Sequence, residues 1–356
     1  MGSEQFDTDL VVVGAGPAGS AAAIAGAQRG LRVVLCERDR LLGERPGETL
    51  HPGIEPVMAQ LGVAERLAPV VGARHLGVWI EWSGSRRFEA YGEDESGPWR
   101  GFQVRRSAFA QLLIGRANEL GVEVRQPLAV KDVLLRAGEL CGVQTEAGPI
   151  TARMVVDASG ITRWLGRKLG LDSTPHSPRL FARYGYCVGS YPERDTAPAL
   201  VGDASGWTWT AKVRQNTYQW TRLTFDGKEP RNGWVPSELK HLKPQGRVRG
   251  ADVTWRLAAR AAGSGWYSVG DAAATLDPTS SHGVLKAVVS GITAGRLIAA
   301  SLQEKAPAEE AALAYHGWLA RSFATDAARL ASFYSDLGVT GFGFQTGPHP
   351  WEWRVR

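Results

Sequence analysis

The sequence predicts an α/β protein with a parallel sheet, an inserted and mostly antiparallel sheet, and helices at its C-terminal end. Three observations lead to this prediction. An apolar stretch of strand length, residues 10–13, turns through a glycine-rich loop into an alanine-rich, helix-forming stretch. The block 171–255 is rich in aromatic residues that alternate with the period of two expected of strands. Residues 307–336 have apolar side chains at helical spacing.

The glycine-rich loop from Gly14 to Gly19 has the pattern G-x-G-x-x-G, and a second apolar stretch, residues 33–36, ends at Glu37. In a dinucleotide fold the first glycine permits the tight turn. Gly16 then lets the backbone approach a pyrophosphate at the helix N-terminus, and Gly19 allows close packing of helix and strand. Glu37 stands where an acidic residue bonds a ribose hydroxyl. The N-terminal part is therefore predicted to be a Rossmann-like dinucleotide-binding domain.

Composition argues against several other classes. The 356 residues carry a formal net charge of +5, but the basic residues are dispersed among acidic ones, which argues against nucleic-acid binding. The N-terminus lacks a basic region before its apolar stretch, and no other stretch reaches the ~18 apolar residues of a membrane helix. Cys36, Cys141 and Cys187 lack the spacing of a metal or redox site. We therefore expect a cytoplasmic protein that binds no metal, membrane or nucleic acid.

Three further motifs follow the glycine-rich loop. They are V-x-R-x-x-F-x-x-L-L at 104–113, D-A-S-G at 157–160, and G-D-A at 270–272 followed by D-P-x-x-S-x-G at 277–283. In this order and separation, the four motifs resemble those of the FAD-binding group A monooxygenases and flavin-dependent halogenases. The resemblance covers essentially residues 8–300. It implies FAD as the cofactor and a fold of the p-hydroxybenzoate hydroxylase and glutathione reductase type.

The resemblance also implies a domain organisation. The FAD-binding domain would be discontinuous, the substrate-binding β-sheet domain would be inserted in it, and a helix and tail would follow. The expected parts are 1–75, 101–170 and 256–300 for FAD, 76–100 and 171–255 for the substrate, and 301–356 for the C-terminal helix and tail.

Individual residues inherit expected roles from the resemblance. Arg106 would lie at the pyrophosphate or ribitol, with Arg105 as its alternative, and Pro278 would lie over the isoalloxazine ring. Asp271 would bond the ribityl chain, although an aspartate there also suits a helix N-cap. The full set of expected FAD-binding residues is Gly14, Gly16, Ala18, Gly19, Glu37, Arg38, Arg45, Arg106, Gly160, Gly270, Asp271, Pro278, Ser281, Gly283 and Val284.

The halogenase pattern is incomplete in this chain. Halogenases carry W-x-W-x-I-P, whereas residues 207–212 keep both tryptophans and lose I-P. Tryptophan-type halogenases place a lysine near 74–82, where this chain has Arg74 and His75 and no lysine. Ser280 stands where those enzymes have a glutamate. These departures favour hydroxylation over halogenation.

The leading prediction is thus an FAD-dependent monooxygenase that hydroxylates an electron-rich aromatic substrate through the C4a-hydroperoxide of reduced FAD. The turn at 47–52 and the altered W-x-W motif most resemble the LodB-like flavoproteins, which mature quinone cofactors by hydroxylating tryptophan in a partner polypeptide. The substrate would be an aromatic such as tryptophan or another indole, free or in a peptide. Electrons would come from NAD(P)H or from a separate flavin reductase, and the oxidant would be O₂. The alternatives are a halogenase, a geranylgeranyl-reductase-like enzyme, or an FAD-binding protein without turnover.

Candidate residues for the chemistry follow from their positions. His51 follows the turn expected beside the flavin, and His282 lies in the loop expected at the pyrimidine edge, so either imidazole could transfer a proton near neutral pH. Both also suit a structural, hydrogen-bonded role. Pro278 completes the expected catalytic set. Trp207 and Trp209 are candidate substrate contacts, of which we expect at least one to face the pocket.

Two expectations concern residues outside the motifs. We expect Lys212 to point outward from its strand. The tail after Gly338 contains Trp351 and Trp353, which would cap the active site, form a partner surface or anchor the chain end.

Overall fold

The computed structural model describes residues 6–40, 49–225, 234–303 and 306–342. Within these residues the chain forms six α-helices: α1 Pro17–Ala27, α2 Glu55–Leu61, α3 Arg106–Glu119, α4 Trp164–Lys168, α5 Gly283–Leu302 and α6 Ala308–Asp336. The described strands are β1 Thr8–Val13, β2 Val33–Cys36, β3 Thr49–Leu50, β4 Val71–His75, β5 Gly77–Trp82, β6 Ser85–Ala90, β7 Glu93–Asp94, β8 Gly97–Pro98, β9 Gly101–Val104, β10 Glu123–Arg125, β11 Val130–Arg136, β12 Glu139–Thr145, β13 Gly148–Asp157, β14 Ser173–Pro175, β15 Phe181–Val188, β16 Ala199–Asp203, β17 Gly206–Arg214, β18 Thr217–Thr224, β19 Lys243–Asp252, β20 Arg256–Ala258, β21 Ala262–Gly263, β22 Trp266–Ser268 and β23 Ala274–Thr275.

A parallel sheet forms the centre of the first layer. Its strands run in the order β10-β2-β1-β13-β22, all parallel, and β12 and β11 extend it antiparallel from β13. The side chains of β2 are all buried, as in a parallel sheet covered on both faces. The predicted α/β class with a Rossmann-like parallel core is confirmed.

Helices α1 and α5 pack directly against each other. A Cβ atom at Gly291 would lie 2.1 Å from the carbonyl oxygen of Ala18, and one at Gly295 would lie 2.6 Å from that of Ala22. Two glycines thus let the backbones of the two helices approach closely. Among the described helices, α5 is long and apolar enough to cross a membrane, but half of its apolar window is buried in the fold, as in a core helix.

A second, larger sheet is built from the inserted segments. Its strands run in the order β19-β15-β18-β17-β16-β5-β6, and every pair is antiparallel except β16 with β5. The chain around 77–90 therefore joins the strands of 181–252 in one sheet. The predicted, mostly antiparallel inserted sheet is confirmed, while its exact domain boundaries remain a prediction.

Helix α6 and a small third sheet connect the two layers. Phe323, Leu330 and Tyr334 of α6 belong to an apolar core with Trp207 of the large sheet. The third sheet has the strand order β3-β9-β4. Strand β3 ends at Leu50, directly before His51. The predicted C-terminal helix is present, whereas Trp351 and Trp353 lie outside the described residues.

Candidate active site

The glycine-rich loop adopts the conformation that a bound pyrophosphate requires. Gly14 has a φ of +106°, and a Cβ atom there would lie 2.6 Å from the carbonyl oxygen of Ala158. A Cβ atom at Gly19 would lie 1.9 Å from the carbonyl oxygen of Gly14, so the helix packs tightly on the turn. By contrast, a Cβ atom at Gly16 would meet nothing within 4 Å. Gly16 is the N-cap of α1 and supplies no side-chain cap, so the positive end of the helix faces open space.

Glu37 lies at the carboxyl end of β2, beside this loop. Its side chain is buried, and its two oxygens accept hydrogen bonds from the backbone N–H groups of Ala15 and Asp39, both at 2.9 Å. The carboxylate is therefore fixed at the end of the sheet, where the ribose hydroxyls of a dinucleotide are recognised. Arg38 follows it, exposed and 3.7 Å from the carboxylate of Asp39.

The G-D-A motif lies against the same helix. Gly270 has a φ of +58°, and a Cβ atom there would lie 2.9 Å from the Cβ of Ala18. Its N–H donates to the hydroxyl of Ser290 on α5 at 2.9 Å. Asp271 is exposed in the turn that follows, which contacts the short turn beginning at Gly160. Three motifs far apart in the sequence thus converge around the N-terminus of α1.

The arginines expected at the pyrophosphate differ in placement. Arg106 begins α3 and is half-buried, whereas Arg105 is its exposed N-cap. This burial favours Arg106 over Arg105 as the residue that faces the cofactor. Arg45 lies outside the described residues.

Asp157 of the D-A-S-G motif has a structural role that the sequence did not reveal. Its buried carboxylate accepts hydrogen bonds from the N–H groups of Ser159 and Leu165, each at 2.9 Å. Burial raises the pKa of this carboxyl, while these hydrogen bonds oppose the shift. The motif therefore fixes the backbone that packs against Gly14.

Asp277 is the centre of a second buried network. Its carboxylate accepts hydrogen bonds from the N–H of Thr279 at 3.0 Å, the indole N–H of Trp255 at 2.6 Å and the hydroxyl of Tyr334 at 3.0 Å. That hydroxyl also accepts from the indole N–H of Trp207 at 3.1 Å. Burial raises the pKa of Asp277, and the donated hydrogen bonds oppose this. The network holds the short turn that begins at Pro278 against both α6 and the large sheet.

The loop after Pro278 leads into α5. Ser281 adopts a left-handed conformation with a φ of +54°, and His282 is the N-cap of α5 without a side-chain cap hydrogen bond. Gly283 is exposed, a Cβ atom there would meet nothing within 4 Å, and Val284 is buried. The backbone at this helix start is therefore accessible, as contact with a flavin edge would require.

The structure brings the two candidate histidines together. The ring centroids of His51 and His282 lie 4.5 Å apart, with an interplanar angle of 37°. Nδ1 of His51 accepts a hydrogen bond from the N–H of Gly53 at 3.1 Å. Neutral His51 therefore carries its proton on Nε2.

The lowered pKa values of His51 and His282 favour the neutral form of both imidazoles near pH 7. Burial, together with the Lys286 ammonium and with His51 whenever that ring is protonated, lowers the pKa of His282 to about 4. Burial also lowers the pKa of His51. Because each ring is neutral, each can accept a proton from a substrate.

Tyr91 and His75 extend the cluster beyond His51. The ring centroid of Tyr91 lies 5.4 Å from that of His51 and 5.6 Å from that of His75. Gln103 lies between Thr49, whose hydroxyl donates to its Oε1 at 2.9 Å, and His75, whose Nε2 is 3.1 Å from its Nε2. Burial lowers the pKa of His75 to about 4. Neither Tyr91 nor Gln103 belongs to a sequence motif, so the sequence alone gives no signal for their place in this cluster.

The two tryptophans predicted to contact substrate share one face of β17. Trp207 is fully buried with its N–H bonded to Tyr334, and Trp209 is half-buried against the same apolar core. Because they are two residues apart on a strand, their side chains point to the same side of the sheet. Strand geometry alone therefore does not tell which of the two would contact a substrate. Burial leaves Trp209 as the better candidate.

Lys212 does not point outward into solvent, as the sequence suggested. Its ammonium group lies 3.0 Å from the carboxylate of Asp195, and the side chain is half-buried. It lines a small cleft together with His75 and Gln103. Packing of β17 on the third sheet accounts for the difference.

The sequence pattern of one family agrees with this geometry. The FAD-dependent oxidoreductase pattern matches residues 9–164, which include the glycine-rich loop, Glu37 and the D-A-S-G motif. Residues 9–164 thus have the sequence pattern of an FAD-dependent oxidoreductase. Its glycine cradle, uncapped α1 N-terminus and buried Glu37 fit the pyrophosphate and ribose of FAD.

This FAD-dependent oxidoreductase is similar to enzymes of two kinds. It is 28% identical to a flavin-dependent halogenase of Armillaria mellea, over 87% of this chain and 71% of the relative. It is 27% identical to a digeranylgeranylglycerophospholipid reductase of Methanothrix thermoacetophila, over 86% of this chain and 81% of the relative. The solved structure of a flavin-dependent brominase matches with a TM-score of 0.80 at 26% identity, covering 92% of this chain and 88% of that one. The chain is thus an FAD enzyme that is similar both to flavin-dependent halogenases and to digeranylgeranylglycerophospholipid reductases.

Within the described residues, no group of three or more His, Cys, Asp or Glu side chains could hold a metal ion.

Proposed function

We propose that this protein is an FAD-dependent monooxygenase that hydroxylates an electron-rich aromatic substrate, with an indole as the first candidate. Reduced FAD, bound in the cradle described above, would activate O₂ as an electrophilic oxygen donor. Electrons would come from NAD(P)H or from a separate flavin reductase. The substrate would be a small aromatic molecule or an aromatic side chain of a partner polypeptide.

The observation that carries this proposal is the pair of neutral imidazoles beside the loop 278–283. Hydroxylation of an aromatic ring requires removal of a proton from the ring or from its N–H or O–H group. His51 and His282 lie 4.5 Å apart, and burial keeps both pKa values below the ordinary value. A neutral imidazole at this position would act as the base, with its partner receiving or relaying the proton. Pro278 would contribute by shaping the space next to the flavin.

A direct test uses the FAD-loaded protein reduced under anaerobic conditions. The reduced protein is mixed with isotopically heavy O₂ in the presence of tryptophan, indole or a tryptophan-containing peptide, with chloride and bromide also present. We expect a product that has gained one labelled oxygen atom and no halogen. A halogenated product, or flavin reoxidation that yields only hydrogen peroxide with every aromatic tried, would contradict the proposal.

Variants at the histidines test the assigned base. We expect His51→Asn and His282→Asn each to lower the rate of product formation by about 100-fold, since general acid–base catalysis contributes on that order. His241→Asn, at an exposed histidine of the inserted domain, is the matched control. Unchanged coupling of O₂ consumption to product in both histidine variants would remove these residues from the mechanism.

Halogenation is the second candidate, and it has its own support. The relatives include halogenases, and Lys212 lies at the cleft that contains His75, so one lysine reaches the region where the sequence alone offered none. Its ammonium is paired with Asp195, which would hinder reaction with a hypohalous acid. A halogenated product that is lost in Lys212→Met and retained in Lys240→Met, at an exposed lysine of the inserted domain, would establish this alternative.

A further inference from the structure

The hairpin between β6 and β9 contains an exposed tryptophan. Its two short strands, β7 and β8, are joined through Ser96, and the N–H of Trp99 donates to the carbonyl oxygen of Gly92 at 2.9 Å, closing the loop. The side chain of Trp99 is 42% exposed. Every other tryptophan that the structure describes is buried or half-buried.

The indole of Trp99 is held in place despite its exposure. Its Nε1–H donates to the carboxylate of Asp94 at 2.9 Å. That carboxylate also accepts hydrogen bonds from the N–H of Ser96 at 2.9 Å and from its hydroxyl at 2.5 Å. The polar edge of the indole is therefore satisfied within the hairpin. What remains available for contact is the exposed part of its apolar ring.

The hairpin begins at the histidine cluster. A Cβ atom at Gly92 would lie 3.4 Å from the ring of Trp99, so this ring packs on the residue that follows Tyr91. Tyr91 in turn contacts His51 edge-to-face, with the ring centroids 5.4 Å apart. A continuous series of contacts thus leads from the exposed indole to the proposed base.

Two further features describe what this surface would accept. Leu76 and Phe88 are also exposed large apolar residues, and the backbone of Leu76 bonds that of Tyr91. The hairpin carries three exposed carboxylates, on Glu93, Asp94 and Glu95, against one basic residue, Arg100. An aromatic face beside net negative charge favours a neutral or cationic ring and disfavours an anionic one.

We propose that Trp99, oriented by Asp94, is the stacking platform that binds the aromatic ring of the substrate at the entrance to the His51–His282 site. The inference rests on the proposed function in one respect, namely that the bound aromatic ring of the substrate is the group that is oxidised. A rigid aromatic surface binds at low cost in conformational entropy, because its orientation is fixed before the ligand arrives. The ligand class is a neutral or cationic planar aromatic, with an indole as the probe.

The first test measures binding of tryptamine and of N-acetyltryptophanamide to the FAD-loaded protein by saturation-transfer NMR. We expect Trp99→Leu to weaken both by about tenfold, as for the loss of one aromatic stacking contact. Trp99→Phe should recover most of the affinity, and Asp94→Asn should fall between the wild type and Trp99→Leu. Trp234→Leu, at a half-buried tryptophan beside Trp220, is the matched control and should bind as the wild type does.

The outcomes separate this proposal from the proposed function. Wild-type affinity in Trp99→Leu, or no binding of either probe to the wild-type protein, overturns the platform. Weakened binding with unchanged FAD content supports it whether the product proves to be hydroxylated or halogenated. With a substrate in hand, Trp99→Leu should raise KM more than it lowers kcat, and an equal fall in kcat would argue for a merely structural role.

Charge provides the second test. We expect tryptamine to bind more tightly than indole-3-acetate at low salt, with the difference shrinking as salt is added. The double variant Glu93→Gln/Glu95→Gln should reduce this difference several-fold while keeping Trp99 in place. Equal affinities for the cationic and anionic probes in the wild type would contradict the assigned ligand class.

Discussion

His51 and His282 are far apart in the sequence, and burial lowers the pKa of both imidazoles. The stability of the folded protein therefore depends on pH. Burial lowers the pKa of His282 to about 4 in the folded protein, whereas an exposed histidine titrates near 6.5. Between these values the unfolded chain binds the proton and the folded chain does not. The free energy of unfolding therefore falls as the pH falls through this window.

The residue-scale prediction concerns His282→Asn. The wild-type protein should lose stability as the pH falls from 7 to 4, and the variant should lose less, because its side chain no longer has to remain neutral in a buried site. Urea unfolding at pH 7, 6, 5 and 4 measures both slopes. His241→Asn should keep the wild-type slope, and an equally steep fall in His282→Asn would refute the assignment.

At the scale of elements, the contact between α1 and α5 positions the cofactor site. Helix α1 presents its N-terminus to the pyrophosphate position, and α5 begins at the loop expected beside the flavin. Gly291 allows the two helices to approach, since a Cβ atom there would lie 2.1 Å from the carbonyl oxygen of Ala18. The spacing of these helices thus sets the distance between the glycine-rich loop and the start of α5, the two places where we expect FAD to bind.

Gly291→Ala should therefore separate the helices. We expect a loss of about 1–3 kcal/mol in the free energy of unfolding, as for overpacking of a core, and a weaker affinity for FAD, measured by fluorescence titration. Gly317→Ala is the matched control within α6, because its Cβ would meet only the flexible end of Arg321 at 3.3 Å. That variant should gain about 0.5–1 kcal/mol, as alanine does over glycine in a helix. Equal effects of the two substitutions would contradict the argument.

At the scale of the whole molecule, Tyr334 connects the parts. Its hydroxyl donates to Asp277, which precedes the turn at Pro278, and accepts from Trp207 of the large sheet, while its own backbone belongs to α6. One hydroxyl therefore joins three units of the fold in a site that water does not reach.

Tyr334→Phe should cost about 1–3 kcal/mol, because it leaves a buried carboxylate and a buried indole N–H each short of one partner. The variant should also bind FAD more weakly, since the turn at Pro278 is less firmly held. Chemical denaturation and FAD titration measure the two effects. Tyr191→Phe, at a half-buried tyrosine with long hydrogen bonds of 3.3 Å, should cost less. Full FAD affinity in Tyr334→Phe would show that the network does not support the cofactor site.

The parts of the molecule that were predictable from sequence are those with local physical causes. Gly14, Gly16 and Glu37 are recognisable because a turn, a phosphate approach and a strand end each require a particular residue type at a fixed spacing. Alternation of aromatic residues likewise predicted the strands of the large sheet. These features depend on neighbours in the sequence, so one chain suffices to infer them.

The remainder depends on contacts between distant segments. Neither the pairing of His51 with His282 nor the placement of Lys212 beside His75 follows from any local pattern, because the packing of separate sheets determines both. The sequence pattern around Trp207 is equally compatible with a substrate contact and with a core position. Only the burial of Trp207 in the structure decides for the core. The signal for Trp99 was present in the acidic, glycine-bounded hairpin, but exposure became evident only in three dimensions.

The closeness of α1 and α5 has a consequence for how the protein is made. More than 250 residues lie between the end of α1 and the start of α5, so a ribosome adding 5–20 residues per second needs roughly 10–50 s to supply the second helix. Until then, the surface of α1 that packs on α5 lacks that partner, although the strands and α3 can already cover the rest of the helix. The G-D-A motif likewise waits for the later helix, because the N–H of Gly270 donates to Ser290 of α5.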